Sequence, residues 1–390
     1  MTLRFIKMNN IASDIKRKMR NPIIKYKPED FQVIEEVSGE LEKFLEEAED
    51  WNKKDGNYGL FLLEKRNVDM SNAIRLLAKE YNVKEKAISF SGNKDKKALT
   101  KQYVTIKGKH KGITILNKDI GSAYITTRWI GNVKRPLFLG AHEKNRFIIC
   151  IRNLPKDFKL DEDFNFNCIP NYFHNQRFGK HKNNHLIGKS IITGNYDKAW
   201  KMIQGEYVAE NDKKSFDENI ENPIDGIRRI NRKFSELYIE AFQSYIFNNA
   251  VSNWIRSNFA YYDVDYAVGK LAFIDEKTDE KVSSYYDEKV MLPGFGFEVN
   301  NIIDRYIEDE MKKEGIGSRD FIIRQIPWLS GEAIERNLFI GVNNVSFSLE
   351  DDDVFKGKKM LRLEFSLDKG CYATTVIAAV CREDPKEIDS

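Results

Sequence analysis

The chain has 390 residues, 41% apolar and 12% aromatic, so it can bury two or three cores and is not intrinsically disordered. Its 63 basic and 60 acidic residues leave a net charge of +3, which identifies no partner. Four cysteines without a C-x-x-C pair, no signal peptide and no apolar run near the ~20 residues of a membrane span exclude a disulfide framework and a transmembrane helix, and favour a cytoplasmic protein.

The first predicted elements are a strand and a helix. Phe31 and Val33 alternate with Gln32 and Ile34, which predicts a strand. The polar and charged stretch 38–58 is predicted to be a surface excursion. After it, apolar residues recur at three- and four-residue spacing from residue 69, which predicts a helix.

Asp95 lies in the most basic segment of the chain. Strands predicted at 87–90 and around Val104 brace its loop, and braced loops often carry catalytic groups. Residues 94–111 contain seven lysines and this one aspartate, a net charge of +6. A solvated surface is the commoner explanation of such a charge run. Basic residues among aromatic residues recur further on, a pattern typical of nucleic-acid binding, at Arg135, Arg177, Lys180, Arg228, Arg229, Arg232 and Lys233.

The second half of the chain is predicted to be richer in helices. Alternation predicts strands, and apolar residues at helical spacing predict helices, on either side of a dense polar-aromatic loop. The predicted elements are a strand at 147–152, the loop at 169–179, a helix at 234–254, a strand at 361–366 and a helix at 372–380. The resulting fold class is α+β, with strands concentrated toward both ends of the chain.

No cofactor or metal motif is complete. Gly188-Lys189-Ser190 resembles the end of a phosphate-binding loop, but Asn183 stands where that loop needs its first glycine. His181 and His185 are four residues apart and could share a helix face, yet no metalloprotease glutamate follows His181 and no Cys/His/Asp cluster accompanies them. The sequence therefore predicts neither a nucleotide cofactor nor a metal.

Three stretches together resemble the TruD family of pseudouridine synthases. They are FSGNKDKKALTKQ at 90–102, NYFHNQRFG at 171–179 and AFQSYIFN at 241–248. Supporting stretches are IIKYKPEDFQVIEE, KRPLFLGAHEKNRFIICIR and FSLDKGCYATTV, which occur in the family's order. Together the stretches span residues 22–376, so the resemblance covers nearly the whole chain.

The resemblance implies an enzyme that isomerises uridine to pseudouridine in tRNA. The implied position is uridine 13 in the D-arm. The reaction needs no cofactor, because no group leaves the enzyme, but every version of its mechanism needs a carboxylate. In this family that carboxylate belongs to the GxKD motif, which here contributes Asp95. A non-catalytic RNA-binding protein is the alternative, since it would keep the basic and aromatic residues without needing Asp95.

The resemblance also implies a set of substrate-binding residues. Phe173 would stack on the flipped base, although core packing explains a phenylalanine in this loop equally well, and Asn171 would line the same pocket. Lys25 matches an N-terminal lysine of the family and would pair with the catalytic aspartate. Lys94 is a second candidate for that pairing because it lies next to Asp95. Arg177, in the same stretch as Phe173, is a further candidate contact to the RNA.

The implied architecture is a pseudouridine synthase catalytic domain with a mixed β-sheet, interrupted by a family-specific α/β domain (the TRUD domain). We predict the catalytic domain at 1–195 and 346–390 and the inserted domain at 196–345. The chain departs from the family pattern at His174 and Lys144, where glycine is usual, and at Asp368, where proline is usual.

Overall fold

The computed structural model describes eight stretches of the chain, namely residues 21–49, 56–92, 94–110, 115–120, 122–160, 164–209, 222–275 and 280–387. Lys111 of the basic segment and Asn93, which directly precedes that segment, lie outside these stretches. The predicted α+β class with a mixed sheet is confirmed.

The described residues contain fifteen strands, several of them only two or three residues long. They are β1 Ile23–Ile24, β2 Phe31–Glu35, β3 Tyr58–Arg66, β4 Ile88–Phe90, β5 Leu99–Lys107, β6 Ile115–Ile120, β7 Ala123–Val133, β8 Lys144–Leu154, β9 Tyr261–Tyr266, β10 Gly269–Ile274, β11 Lys289–Met291, β12 Glu335–Asn337, β13 Asn343–Asp351, β14 Lys359–Asp368 and β15 Lys386–Glu387.

Eight α-helices occur in the same stretches, and five of them lie between residues 184 and 313. They are α1 Glu40–Glu49, α2 Met70–Glu80, α3 Asn184–Ile192, α4 Tyr196–Ala209, α5 Pro223–Arg229, α6 Arg232–Asn258, α7 Ile302–Lys313 and α8 Ala373–Cys381. None of the helices in the described part of the chain is long and apolar enough to cross a bilayer.

The stretch 38–58, predicted to be a surface excursion, contains a helix that the sequence analysis did not identify. Residues 40–49 form α1, which buries Leu41 and Phe44 against the sheet. The many glutamates of this stretch concealed the helix, because they occupy its solvent side while only two apolar residues mark the buried side. Residues 50–55 lie outside the described stretches.

An eleven-stranded mixed sheet forms the first of two compact units. Eight of its strands follow the order β13-β14-β8-β2-β5-β3-β7-β6. Of the other three, β4 pairs with β5, β1 pairs with β8, and β15 pairs with β1. The pairs β2–β5 and β1–β15 are parallel, and the remaining pairs are antiparallel. Leu60 on β3 packs with α1, whereas Phe61 and Leu63 pack with α2, so helices cover both faces at this strand.

The second unit is organised around α6. This helix buries most of its residues against neighbours that include α3, α7 and β10. Gly188 of α3 crosses α6 so closely that a Cβ there would lie 2.0 Å from the Tyr238 carbonyl oxygen. Gly188-Lys189-Ser190 therefore lies within a packed helix, where its glycine allows close packing and forms no phosphate-binding loop.

The compact units divide the chain at 161/162, 341/342, 370/371 and 384/385. These limits differ from the predicted domain limits at 195/196 and 345/346. Residues of the 169–179 loop and α3 pack with α6, which places them in the second unit. Helix α8 belongs there too, because Tyr262 donates to its Ala379 carbonyl oxygen at 3.0 Å. The division into a split catalytic domain and an inserted domain at 196–345 stays a prediction.

Candidate active site

Asp95 lies in the first unit, on a loop whose backbone accepts hydrogen bonds from a buried lysine. Lys65 on β3 is fully buried, and its Nζ donates to the carbonyl oxygens of Asp95 at 2.8 Å, Val68 at 2.9 Å and Lys94 at 3.4 Å. Burial lowers the pKa of Lys65 to about 8, an effect that the Asp95 carboxylate opposes. The loop that carries Asp95 is thus fixed by side-chain hydrogen bonds as well as by its flanking strands.

The predicted pairing of Lys25 with Asp95 is present. Lys25 Nζ lies 3.2 Å from Asp95 Oδ2 and 2.9 Å from Glu387 Oε1. The Lys25 side chain is 3% exposed, whereas Asp95 keeps 33% of its side chain exposed. Burial acts to lower the pKa of Lys25, but the two carboxylates outweigh it and raise that pKa. Lys25 is therefore a buried, charged partner of a partly exposed carboxylate.

The backbone at Lys25 is strained and anchored. Its φ of 55° lies in the left-handed region, which costs a residue with a side chain roughly 1–3 kcal/mol. Close by, Asp30 accepts two 2.8 Å hydrogen bonds from Arg152 on β8, which also donates to Asp352 at 3.0 Å. This buried cluster fixes the turn after Lys25 to the sheet, so that the strain is retained.

Lys94, the second candidate partner, does not contact the Asp95 carboxylate. Its side chain is 5% exposed and lies 3.1 Å from Glu35 Oε1 and 2.7 Å from Asn145 Oδ1. Burial lowers the pKa of Lys94, and the Glu35 carboxylate opposes that effect. The Lys94 ammonium is buried in an ion pair with Glu35, so this lysine is not part of a solvated surface.

His142 completes this buried group. Its Nε2 lies 3.4 Å from Lys94 Nζ, and its Nδ1 lies 3.7 Å from Glu35 Oε1. Burial and the Lys94 ammonium lower the pKa of His142, so the imidazole is neutral at pH 7. A Cβ at Gly92 would lie 2.7 Å from the His142 ring, so this glycine lets the ring pack against the loop.

Two of these buried charged residues, Lys65 and Glu35, continue the row of buried apolar side chains on their own strands. Phe61 and Leu63 point to one face of β3, and Lys65 continues that face. Phe31 and Val33 do the same on β2, where Glu35 follows them. A charged residue in a row of buried side chains needs a buried partner. Alternation alone could therefore have marked Lys65 and Glu35 as members of a buried polar cluster.

The first expected result follows from Lys65. Lys65→Met should lower the free energy of unfolding by about 1–3 kcal/mol, because the buried carbonyl oxygen of Val68 and the partly buried carbonyl oxygen of Asp95 lose their donor. Chemical denaturation measures this change. Lys79→Met, at an exposed site on α2, is the matched control and should stay within about 0.5 kcal/mol of wild type. Equal stability of the two variants would contradict the anchoring role.

Asn171, Phe173 and Arg177 lie together in the second unit, with one residue that the sequence analysis missed. Arg336 on β12 places its guanidinium carbon 4.0 Å from the centre of the Phe173 ring. It also donates to Asn171 Oδ1 at 2.6 Å and to the Asn171 carbonyl oxygen at 2.9 Å. The Arg177 guanidinium lies 5.3 Å from the same ring. We call these four residues the Phe173 group.

Phe173 is itself buried, with 5% of its surface exposed. Asn248 on α6 accepts from its backbone N–H at 3.0 Å and donates to its carbonyl oxygen at 2.7 Å. Phe247 and Tyr372 meet the ring edge-on, at centroid distances of 5.7 and 6.0 Å. Arg177 donates to the Tyr372 hydroxyl at 3.2 Å. Packing thus fixes the ring position tightly.

Each residue that departs from the family pattern lies near a side chain of opposite or ionisable character. Lys144 and Asp368 stand opposite each other in the β8–β14 pair, with Nζ and Oδ1 3.9 Å apart, so two departures form one contact. His174 is buried, and its Nε2 lies 3.4 Å from Asp384 Oδ1. Asn175 donates to the other oxygen of Asp384 at 2.8 Å.

His181 and His185 do not share a helix face. His185 lies within α3 and stacks on Tyr245 with ring centres 4.8 Å apart, and burial lowers its pKa to about 4. His181 precedes the helix. In the described stretches, no group of three or more His, Cys, Asp or Glu side chains is arranged to hold a metal ion.

Comparisons with known proteins agree over almost the whole chain. A family model described as tRNA pseudouridine synthase D (TruD) matches residues 16–222 and 214–380. Two curated relatives, both named as probable tRNA pseudouridine synthase D proteins, are 28% identical to this chain. The relative from Methanocaldococcus jannaschii matches over 91% of this chain and 90% of its own length, and the one from Nanoarchaeum equitans over 92% and 98%.

A solved structure shows the same fold. The crystal structure of a candidate tRNA pseudouridine synthase D from Methanosarcina mazei matches with a TM-score of 0.64. The match covers 93% of this chain and 94% of the other chain at 22% identity.

Proposed function

Because this chain belongs to the TruD family of tRNA pseudouridine synthases, we propose that it converts uridine 13 in the D-arm of tRNA to pseudouridine, with Asp95 as the catalytic carboxylate. The observation that carries the proposal is the pairing of a partly exposed Asp95 with a buried, charged Lys25. Perturbed and paired ionisable groups of this kind mark functional sites more often than chance.

The reaction rearranges atoms within one nucleotide. The glycosidic bond between N1 and C1′ breaks, the base rotates while it is held, and C5 bonds to C1′. C5 loses its proton to solvent, and N1 gains one. A carboxylate serves this sequence as a nucleophile toward the base or sugar, or as a base that removes a proton. Uridine and pseudouridine have the same atomic composition, so the reaction consumes no second substrate.

Lys25 has the properties of an orienting partner for that carboxylate. Its ammonium contacts one oxygen of Asp95, which limits the rotation of the side chain. Glu387 pairs with the same ammonium, so Lys25 keeps an anionic partner when Asp95 becomes neutral by covalent addition or protonation. Lys65 fixes the backbone of the same residue.

The Phe173 group serves the nucleotide in this proposal. A uridine inside a stacked helix is out of reach of a carboxylate, so it has to be flipped out and received by a fixed surface. Asn171, Phe173 and Arg177 are assigned to that surface by family resemblance, and their tight packing supports a preformed site. Exposed Lys96 near Asp95 suits contact with phosphates of the same RNA.

We expect full activity without a metal or an added cofactor. Uridine labelled with tritium at C5 releases the label when C5 bonds to C1′, so tritium release from an unmodified tRNA transcript measures turnover. The rate in EDTA, without ATP or S-adenosylmethionine, should equal the rate in untreated buffer. Loss of turnover on chelation, restored by zinc, would instead indicate a catalytic metal. Binding of the transcript without any release would favour the non-catalytic alternative.

A further inference from the structure

Lys94 is anchored to the sheet of the first unit by its side chain. Its Nζ lies 3.1 Å from Glu35 Oε1, donates to Asn145 Oδ1 at 2.7 Å and lies 3.4 Å from His142 Nε2. Glu35 and Asn145 stand directly opposite each other in the β2–β8 pair, so their side chains leave the same face of the sheet. Two adjacent strands inside the sheet therefore fix the position of one buried ammonium.

Glu35 is fixed as firmly as the lysine with which it pairs. Its side chain is fully buried, and its Oε2 accepts from the Tyr103 N–H on β5 at 3.0 Å. Removal of one member of a buried ion pair is strongly destabilising, because the other member remains as a buried charge without its partner. Lys94 cannot leave Glu35 without this penalty, so the lysine side chain keeps one position.

The neighbouring Asp95 side chain takes a different direction. Its carboxylate lies 3.2 Å from Lys25 Nζ and keeps 33% of the side chain exposed, whereas Lys94 points into the protein. Lys65 donates to the carbonyl oxygen of Lys94 at 3.4 Å and to that of Asp95 at 2.8 Å, so the peptide groups on both sides of the Asp95 Cα are held. Lys65 and the anchored Lys94 side chain together set the direction of the Asp95 Cα–Cβ bond.

Stability alone is a weak reason for a charged pair at this place. A buried ion pair adds little stability over well-packed apolar residues of the same volume, because both charges lose their hydration. A catalytic group, in contrast, has to be held within about 0.5 Å and about 10–20° of its productive geometry, and a displacement of ~1 Å can lower the rate about 10²-fold. Anchoring the residue next to Asp95 limits such displacements.

We propose that Lys94 is a positioning residue for the catalytic carboxylate. Paired with Glu35 and hydrogen-bonded to Asn145, it holds the loop so that Asp95 points out toward the uridine. Lys94 itself contacts neither the uridine nor the Asp95 carboxylate. The inference rests on the proposed function, because it takes Asp95 as the catalytic group.

Single-turnover kinetics separate positioning from binding. Tritium release from C5-labelled tRNA at saturating enzyme gives the rate constant of the chemistry, and the dissociation constant of the tRNA is measured in the same buffer. Lys94→Met should lower the rate constant about 10²-fold, because the loop loses its anchor, and should leave the dissociation constant within about twofold of wild type. A lysine that contacts RNA phosphates would show the reverse pattern.

A second substitution separates positioning from stability. Glu35→Gln in the Lys94→Met background removes the unpaired buried charge, and the glutamine oxygen can still accept from the Tyr103 N–H. The double variant should therefore melt at a higher temperature than Lys94→Met, while its rate constant stays as low. A pair with a structural role only would regain the rate together with the melting temperature.

Leu41→Ala is the matched control for lost stability. Leu41 is fully buried on α1 and packs with Leu60, on the face of β3 opposite to Lys65. This variant should melt at a lower temperature than wild type but keep the rate constant within about twofold. A low rate constant in Lys94→Met is then not a general result of weaker folding.

A rate constant within about threefold of wild type in folded Lys94→Met would overturn the inference, and so would a double variant that regains the wild-type rate. If Lys94→Met does not fold, the double variant decides, since a rate constant about 10²-fold below wild type supports the inference. Failure of the proposed function gives a different result, because wild type would then form no pseudouridine or Asp95→Asn would keep the wild-type rate.

Discussion

Replacing Asp95 by asparagine is expected to lower the rate of pseudouridine formation by about 10⁴-fold or more, to background. Asparagine keeps the size and polarity of the side chain but is neither a nucleophile nor a base. Tritium release from C5-labelled tRNA under single-turnover conditions measures the loss of chemistry separately from binding. A rate within tenfold of wild type would contradict the assignment of Asp95.

Folding and tRNA binding of this variant should change little. Lys25 loses one anionic partner but keeps Glu387 at 2.9 Å, so its ammonium stays paired. Asp157→Asn is the matched control, since Asp157 is exposed on the segment that follows β8. It should leave the rate of tritium release within about twofold, as expected for a surface substitution away from the site.

The second large effect concerns the C-terminal strand. A chain truncated after residue 355 should fail to unfold cooperatively, because β14 pairs with both β8 and β13 inside the sheet. The truncation removes four fully buried side chains of this strand, Leu361, Leu363, Phe365 and Leu367. At roughly 1.5–3 kcal/mol each, their burial is comparable to the total stability of a domain, about 5–15 kcal/mol.

Truncation after residue 384 is the control for that experiment. It keeps β14 and α8 and removes only β15 among the described elements, so the protein should still melt cooperatively. Differential scanning calorimetry of both proteins beside wild type makes the comparison. A cooperative transition near the wild-type temperature in the shorter protein would show that the sheet of the first unit does not depend on its C-terminal strand.

Elements with strong periodicity could be predicted from the sequence. Alternation identified β2 and β14, the strand predicted at 147–152 lies within β8, and apolar residues at helical spacing identified α2 and α6. Asp95 was placed on a loop between two strands, as observed. These features depend on residues that are close in sequence. The spacing of apolar residues along the chain reflects such local structure directly.

Contacts between distant residues could not be predicted in the same way. Asn171 and Arg336 are 165 positions apart, and β12, which carries Arg336, is only three residues long. Lys94 lies beside Asp95 in the chain, yet its side chain points into the group with Glu35. Neighbouring residues on a turn need not share an environment, so proximity in sequence was a poor guide to the ion pair.

Nucleotide-resolution mapping of pseudouridine tests the central claim most directly. Wild-type protein and the Asp95→Asn variant are each incubated with an unmodified tRNA transcript in EDTA, and the RNA is then mapped by pseudouridine-specific chemistry. We predict one pseudouridine, at position 13, with wild type and none with Asp95→Asn. A transcript that stays unmodified with wild type, or is modified equally by the variant, would contradict an Asp95-dependent pseudouridine synthase.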